Sequence, residues 1–84
     1  MVTEWPPKRG ELWLTAESWP AGGDGPAIPG GAWVLVLGGA PGRDGWWGGE
    51  VLGPNGRRQI KALQEDLIPG DDPRLVAPEF TRAA

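Results

Sequence analysis

The chain has 84 residues and contains neither cysteine nor histidine, which excludes disulfide staples, thiolate metal centres and histidine-based catalysis. One small domain is all that this length accommodates, and its core needs large apolar side chains or a partner to hold it. The formal net charge of −3 arises entirely after Gln64: residues 1–64 balance acids and bases, whereas Glu65, Asp66, Asp71, Asp72 and Glu79 are opposed only by Arg74 and Arg82. This neutrality argues against a dedicated nucleic-acid binder, which carries a basic footprint.

In chain order, residues 1–10 read as an arm, because Pro6-Pro7 forbids regular pairing and favours an extended path. Glu11–Thr15 is the first predicted strand, with Leu12 and Leu14 alternating against Glu11, Trp13 and Thr15. A long glycine- and proline-rich loop follows from Ala16 to Gly31, and Trp19 and Ile28 are the side chains able to pin it to the core. Trp33–Leu37 is the clearest strand and is apolar on both faces, so it calls for cover on both sides, from an interior plus a loop or a second subunit.

Gly38–Gly45 is expected to be a loop and Trp46–Leu52 a third strand. Gly53-Pro54-Asn55-Gly56 is a strong turn signal, and Arg57–Ala62 is the returning strand with Ile60 inward. One helical turn over Leu63–Asp66 and a short closing strand at Leu67-Ile68 complete the domain. Residues 69–84 form an acidic, proline-broken tail in which Leu75, Val76 and Phe80 are the apolar positions. No apolar run approaches the ~20 residues that cross a bilayer, and nothing resembles a signal peptide, so a cytoplasmic protein without a membrane role is expected.

The run Val34-Leu35-Val36-Leu37, then Gly45-Trp46-Trp47-Gly48-Gly49-Glu50-Val51, then a turn and Ile60, resembles the Src-homology-3 (SH3) pattern over residues 31–68. The resemblance implies an all-β fold: a five-stranded SH3-like barrel over residues 11–68, with a long first loop, one short helical turn and flexible termini. In that family the first tryptophan of the pair lines a groove for proline-rich peptides, and acids of the long first loop pair with a basic residue of the peptide. Trp46 is the matching tryptophan, with Glu17 and Asp24 the loop acids. The family's groove is also walled by tyrosines, of which this chain has none. Trp13 stands near the first of those positions, and Ala62–Asp66 offers no aromatic at the second.

A second resemblance lies in Lys8-Arg9-Gly10-Glu11-Leu12-Trp13-Leu14, which looks like the opening of the PemK/MazF type of toxin endoribonuclease, itself an SH3-like barrel. The arginine-proline pair expected before that family's second strand is replaced here by Gly31-Ala32-Trp33. No serine or threonine follows that strand until Thr81.

The chemistry-bearing residues are few. Catalysis needs a positioned nucleophile or a titratable base, and the carboxylates, lysines and hydroxyls present fall into no catalytic motif. No cofactor or metal site is expected: Glu65-Asp66 and Asp71-Asp72 lack the ligand spacing of a calcium loop, and the glycine clusters lack the ending of a phosphate cradle. Trp46 and Trp47 alternate across their strand and Val51 shares parity with Trp47, so Trp46 is predicted to face outward. The leading expectation is a non-catalytic protein-interaction or assembly module presenting Trp46, and with it Trp13 or Trp19, to a protein partner or a second copy. The alternative is nucleic-acid binding through Arg43, Arg57, Arg58 and Lys61 beside a stacking tryptophan, or toxin-type ribonuclease activity.

Overall fold

The computed structural model describes residues 3–70. Five strands are present: β1 (Leu12–Thr15), β2 (Trp33–Pro41), β3 (Trp47–Gly53), β4 (Gly56–Ala62) and β5 (Leu67–Pro69). Single 3₁₀ turns at Arg43–Gly45 and Gln64–Asp66 are the only helical elements among the described residues. All pairings are antiparallel in one sheet of order β4-β3-β2-β1-β5. The all-β class expected from the sequence is therefore observed. Its ladder is open, with β4 and β5 as the edges, so closure into a barrel is not part of the hydrogen-bond pattern.

Alternation along the strands sorts the side chains into two faces. The register pairs Trp13 with Val34, Val36 with Val51, Gly49 with Ile60 and Trp47 with Ala62. Apart from Gly49, these residues, with Ile28 from the long loop and Leu67 from β5, make up the core. In the first strand Trp13 and Thr15 point inward, against the expectation that Trp13 is presented to a partner, and Leu12 lies on the outer face, 54% exposed. Leu14 shares that outer face but is covered, being flanked in register by Trp33 and Ile68.

β2 runs four residues past the predicted end, through Gly38 to Pro41, after a register shift between Val36 and Gly38. The glycines expected to form a loop instead continue the β2–β3 ladder, and the reason is Trp47. Its ring is fully buried, and a Cβ at Gly39 or Gly49 would collide with it. Glycine is required at this cross-strand pair because only a bare backbone leaves the indole room. The Pro54-Asn55 turn is as predicted, closing the Gly53–Gly56 pair.

The long loop over residues 16–31 is an irregular hairpin held by paired bonds between Trp19 and Ile28 (2.8 and 2.9 Å) and between Gly22 and Gly25. Thr15 Oγ1 anchors its far end, donating to the Pro29 carbonyl (2.8 Å) and accepting from the Ala32 N–H (2.9 Å). Asn55 Nδ2 donates to the Ala27 carbonyl (2.9 Å), and the Gln59 N–H donates to the Asp24 carbonyl (3.0 Å) across the β4 edge.

Residues 3–10 of the arm lie against the sheet: Pro7 is buried, and Trp5 meets Trp13 edge to face at 6.0 Å. The Gly10 N–H donates to the Val36 carbonyl (2.8 Å). β5 reaches Pro69, one residue into the stretch read as tail; residues 71–84, with Asp71-Asp72, Leu75, Val76, Phe80 and Thr81, lie outside the described residues. No helix among the described residues is long and apolar enough to cross a membrane.

Candidate functional site

The outer face of the sheet carries apolar side chains that nothing in the described chain covers. Register alone assembles them: Leu12 pairs with Leu35, Leu35 with Leu52, and Leu52 with Arg57, giving one row across β1, β2, β3 and β4. Trp33 stands two residues before Leu35 on the same face of β2. Leu12, Trp33 and Leu52 are 54%, 44% and 41% exposed, and Leu35 is half-buried. β4 contributes Arg57, Gln59 and Lys61 to this face, all exposed, opposite Leu52, Glu50 and Gly48. An apolar row thus ends in a polar, partly basic margin, the arrangement of a contact surface with a core and a rim.

Trp46 also points outward, 40% exposed, directly after the Arg43–Gly45 turn. The turn ends there because Asp44 adopts φ 61°, a left-handed conformation that aspartate tolerates. Trp46 lies six residues from Leu52 along the chain, so the two mark opposite ends of the outer side of β3, with only Gly48 and Glu50 between them on that side. The prediction that Trp46 faces out while Trp47 is buried agrees with the structure.

Other expected site residues are placed differently. Trp13 is 1% exposed, and its Nε1 donates to Glu11 Oε1 (3.2 Å), so it presents nothing to a partner. Its burial comes from packing between strands: the indole stands opposite Val34 in register and joins the core. Trp19 is half-buried against the core and serves the long loop. Glu17 and Asp24 are exposed. Asp24, Trp19 and Lys61 meet at a depression of about 380 Å³ on the β4 edge, with Gly48, Gly49, Arg58, Gln59 and Ile60; Trp46 and Glu17 are not among its walls.

The expected basic patch is divided. Arg58 shares the inner face with Val51 and Ile60 and is 7% exposed. Its Nη1 donates to the carbonyls of Pro20 (2.8 Å) and Pro26 (3.4 Å), and its Nε to that of Gln59 (3.0 Å). A planar guanidinium spent on three carbonyls clasps the long loop and is not offered to a phosphate. Arg57 and Lys61 remain outward on β4, and Arg43 is exposed on the neighbouring turn. Among the acids, Asp66 Oδ2 accepts the Leu63 N–H (2.8 Å) and so shapes the last turn. Among the described residues no group of three or more carboxylates converges.

Sequence reasoning did not single out Leu12, Trp33 and Leu52 as surface residues. The signal was present in Trp33–Leu37, whose apolar residues on both faces require a second covering layer. Comparison of the chain with family models, with curated proteins and with solved structures found no match.

Proposed function

We propose that the chain is a non-catalytic protein-interaction or assembly module whose contact surface is the outer face of its sheet, with Trp46 at one end. The observation that carries this reading is the row Leu12–Leu35–Leu52 with Trp33 beside it, three of whose members are more than two-fifths exposed. Large apolar side chains left in water in an 84-residue domain forgo stabilisation that the small core needs, about 1.5–3 kcal/mol for each one fully buried. A surface that retains them is explained by a partner that covers them. Exposed tryptophans also supply much of the binding energy of interfaces.

The strand order, the long loop between β1 and β2 and the 3₁₀ turn before β5 support reading the architecture as SH3-like. The contact face is then the sheet's outer apolar row, since the tyrosines of a proline-peptide groove are missing.

The test compares the wild-type chain with Leu52→Asp and Trp46→Ala variants as baits for capture from the native source, alongside sedimentation over a concentration range. The expected result is a stoichiometric partner, or a second copy, held by the wild type and lost with Leu52→Asp. Monomeric behaviour with equal recovery by all three baits sinks the reading.

A further inference from the structure

The apolar row on the outer face has cations at both ends. Leu12, Leu35 and Leu52 follow one another on adjacent strands, and the row closes on Arg57 of β4, with the exposed Lys61 farther along the same strand. At the other end Leu12 and Trp33 line a groove of about 530 Å³ together with Gly10, and the exposed Lys8 and Arg9 directly precede that glycine. Among the described residues, none of these four cations is held in an ion pair. Three acids lie near them. Glu11 Oε1 already accepts the Lys8 N–H (2.7 Å) and the Trp13 indole N–H (3.2 Å), Glu50 is half-buried opposite Gln59, and Asp24 lines the depression at the β4 edge with Lys61.

The size and step of the row select the form of its occupant. The exposed parts of Leu12, Trp33 and Leu52 amount to on the order of 300 Å² of apolar surface, well below the ~800 Å² that each side of a standard interface between whole domains buries. Adjacent strands lie ~4.8 Å apart, so the row from Leu12 to Arg57 is ~14 Å long. A helix repeats the side chains of one face every ~5.4 Å, and three turns of it cover that length. Charge selects the chemistry. A two-fold axis through the face would set each end of the row against itself or against the other end, so two copies would meet cation to cation. A nucleic-acid strand would meet the cations and leave the leucines in water.

We propose that the outer face takes an acidic amphipathic helix of a partner protein. Its apolar stripe lies along Leu12, Leu35 and Leu52 with Trp33, and its carboxylates stand beside Lys8 and Arg9 at one end and Arg57 and Lys61 at the other. This rests on the outer face being a contact surface and names the chemistry of what covers it. The leucines and Trp33 attract any apolar stripe, whereas the cations choose among stripes by the charge of their flanks.

Two synthetic helical peptides of about 18 residues test it, long enough to hold helix in water. Both carry the same leucine stripe, flanked by glutamates in one and by lysines in the other. Titrated into the 15N-labelled full-length chain, the glutamate peptide should shift the amide signals of Leu12, Leu35 and Leu52 and the indole signal of Trp33, and leave that of Ile28 in place. The lysine peptide should bind at least about tenfold more weakly, a gap that narrows as salt rises. Arg57→Glu with Lys61→Glu should abolish the preference, and Leu52→Asp should abolish binding of both peptides. Equal affinity for the two peptides, no shifts with either, or shifts centred on Trp19 overturn the proposal. Shifts of the same signals with protein concentration alone identify a second copy as the occupant, and shifts with phosphatidylglycerol vesicles but not with the glutamate peptide identify a lipid surface; either overturns it. The measurement needs no natural partner, so its failure leaves the capture experiment with Leu52→Asp to judge the contact surface separately.

Discussion

Two adjacent glycines of β3 offer a controlled comparison. Gly48 and Gly49 both have ordinary extended backbone, yet the spaces above them are opposite. A methyl group added at Gly48 meets nothing within 4 Å. Replacing it with alanine narrows the unfolded ensemble and should stabilise by about 0.4–1 kcal/mol. A methyl group at Gly49 collides with the Gly38 carbonyl oxygen and the Trp47 ring, where Cζ2 would lie 2.6 Å away. Neither can yield easily: the carbonyl belongs to the β2 backbone, and the indole is fully buried in the core. Overpacking of this kind costs about 1–3 kcal/mol. For a domain whose total stability is about 4–13 kcal/mol, a loss of ~2 kcal/mol lowers Tm by roughly 8–16 °C. Urea unfolding followed by tryptophan fluorescence should place the Gly49→Ala midpoint well below the wild type and the Gly48→Ala midpoint at or above it. Equal midpoints for the two variants would refute the assignment of Gly49 as space cleared for Trp47.

Arg58→Met keeps the buried stem but abandons the carbonyls of Pro20, Pro26 and Gln59; a cost of about 1–3 kcal/mol should come with faster amide exchange at Trp19 and Ile28 than in the β2–β3 hairpin, and unchanged exchange there would show that the clasp does not hold the loop. Trp13→Ala should cost about 3–5 kcal/mol and Trp46→Ala less than about 0.5 kcal/mol, both read by chemical denaturation. Similar losses for the two would contradict the division between a core and a surface tryptophan.

Much of this protein is legible along the chain because short-range chemistry sets it. The Asn55-Gly56 turn, the return of β4 with Ile60 inward and the turn before β5 follow from backbone preferences that a few neighbouring residues determine. Trp46 outward and Trp47 inward follow from the two-residue repeat of a strand once Val51 is assigned inside. Where both parities are apolar, that repeat loses its meaning. In β1, Leu12 and Leu14 compete with Trp13, and in β2, Trp33 and Leu35 compete with Val34 and Val36; only the packing of whole strands selects Trp13, Val34 and Val36 for the interior.

The same holds for glycine. Gly38, Gly39, Gly48 and Gly49 read as turn formers one by one, but all four lie in the β2–β3 ladder, and at the paired Gly39 and Gly49 the bare backbone makes room for the Trp47 ring. Arg58 reads as one more cation of a basic hairpin until its register with Val51 sends it under the long loop. The sequence by itself determined that the protein would be a small sheet with more large apolar side chains than one core needs. Tertiary structure decided which of them stayed outside, because cross-strand register, a long-range property, places Leu12, Leu35 and Leu52 in one uncovered row.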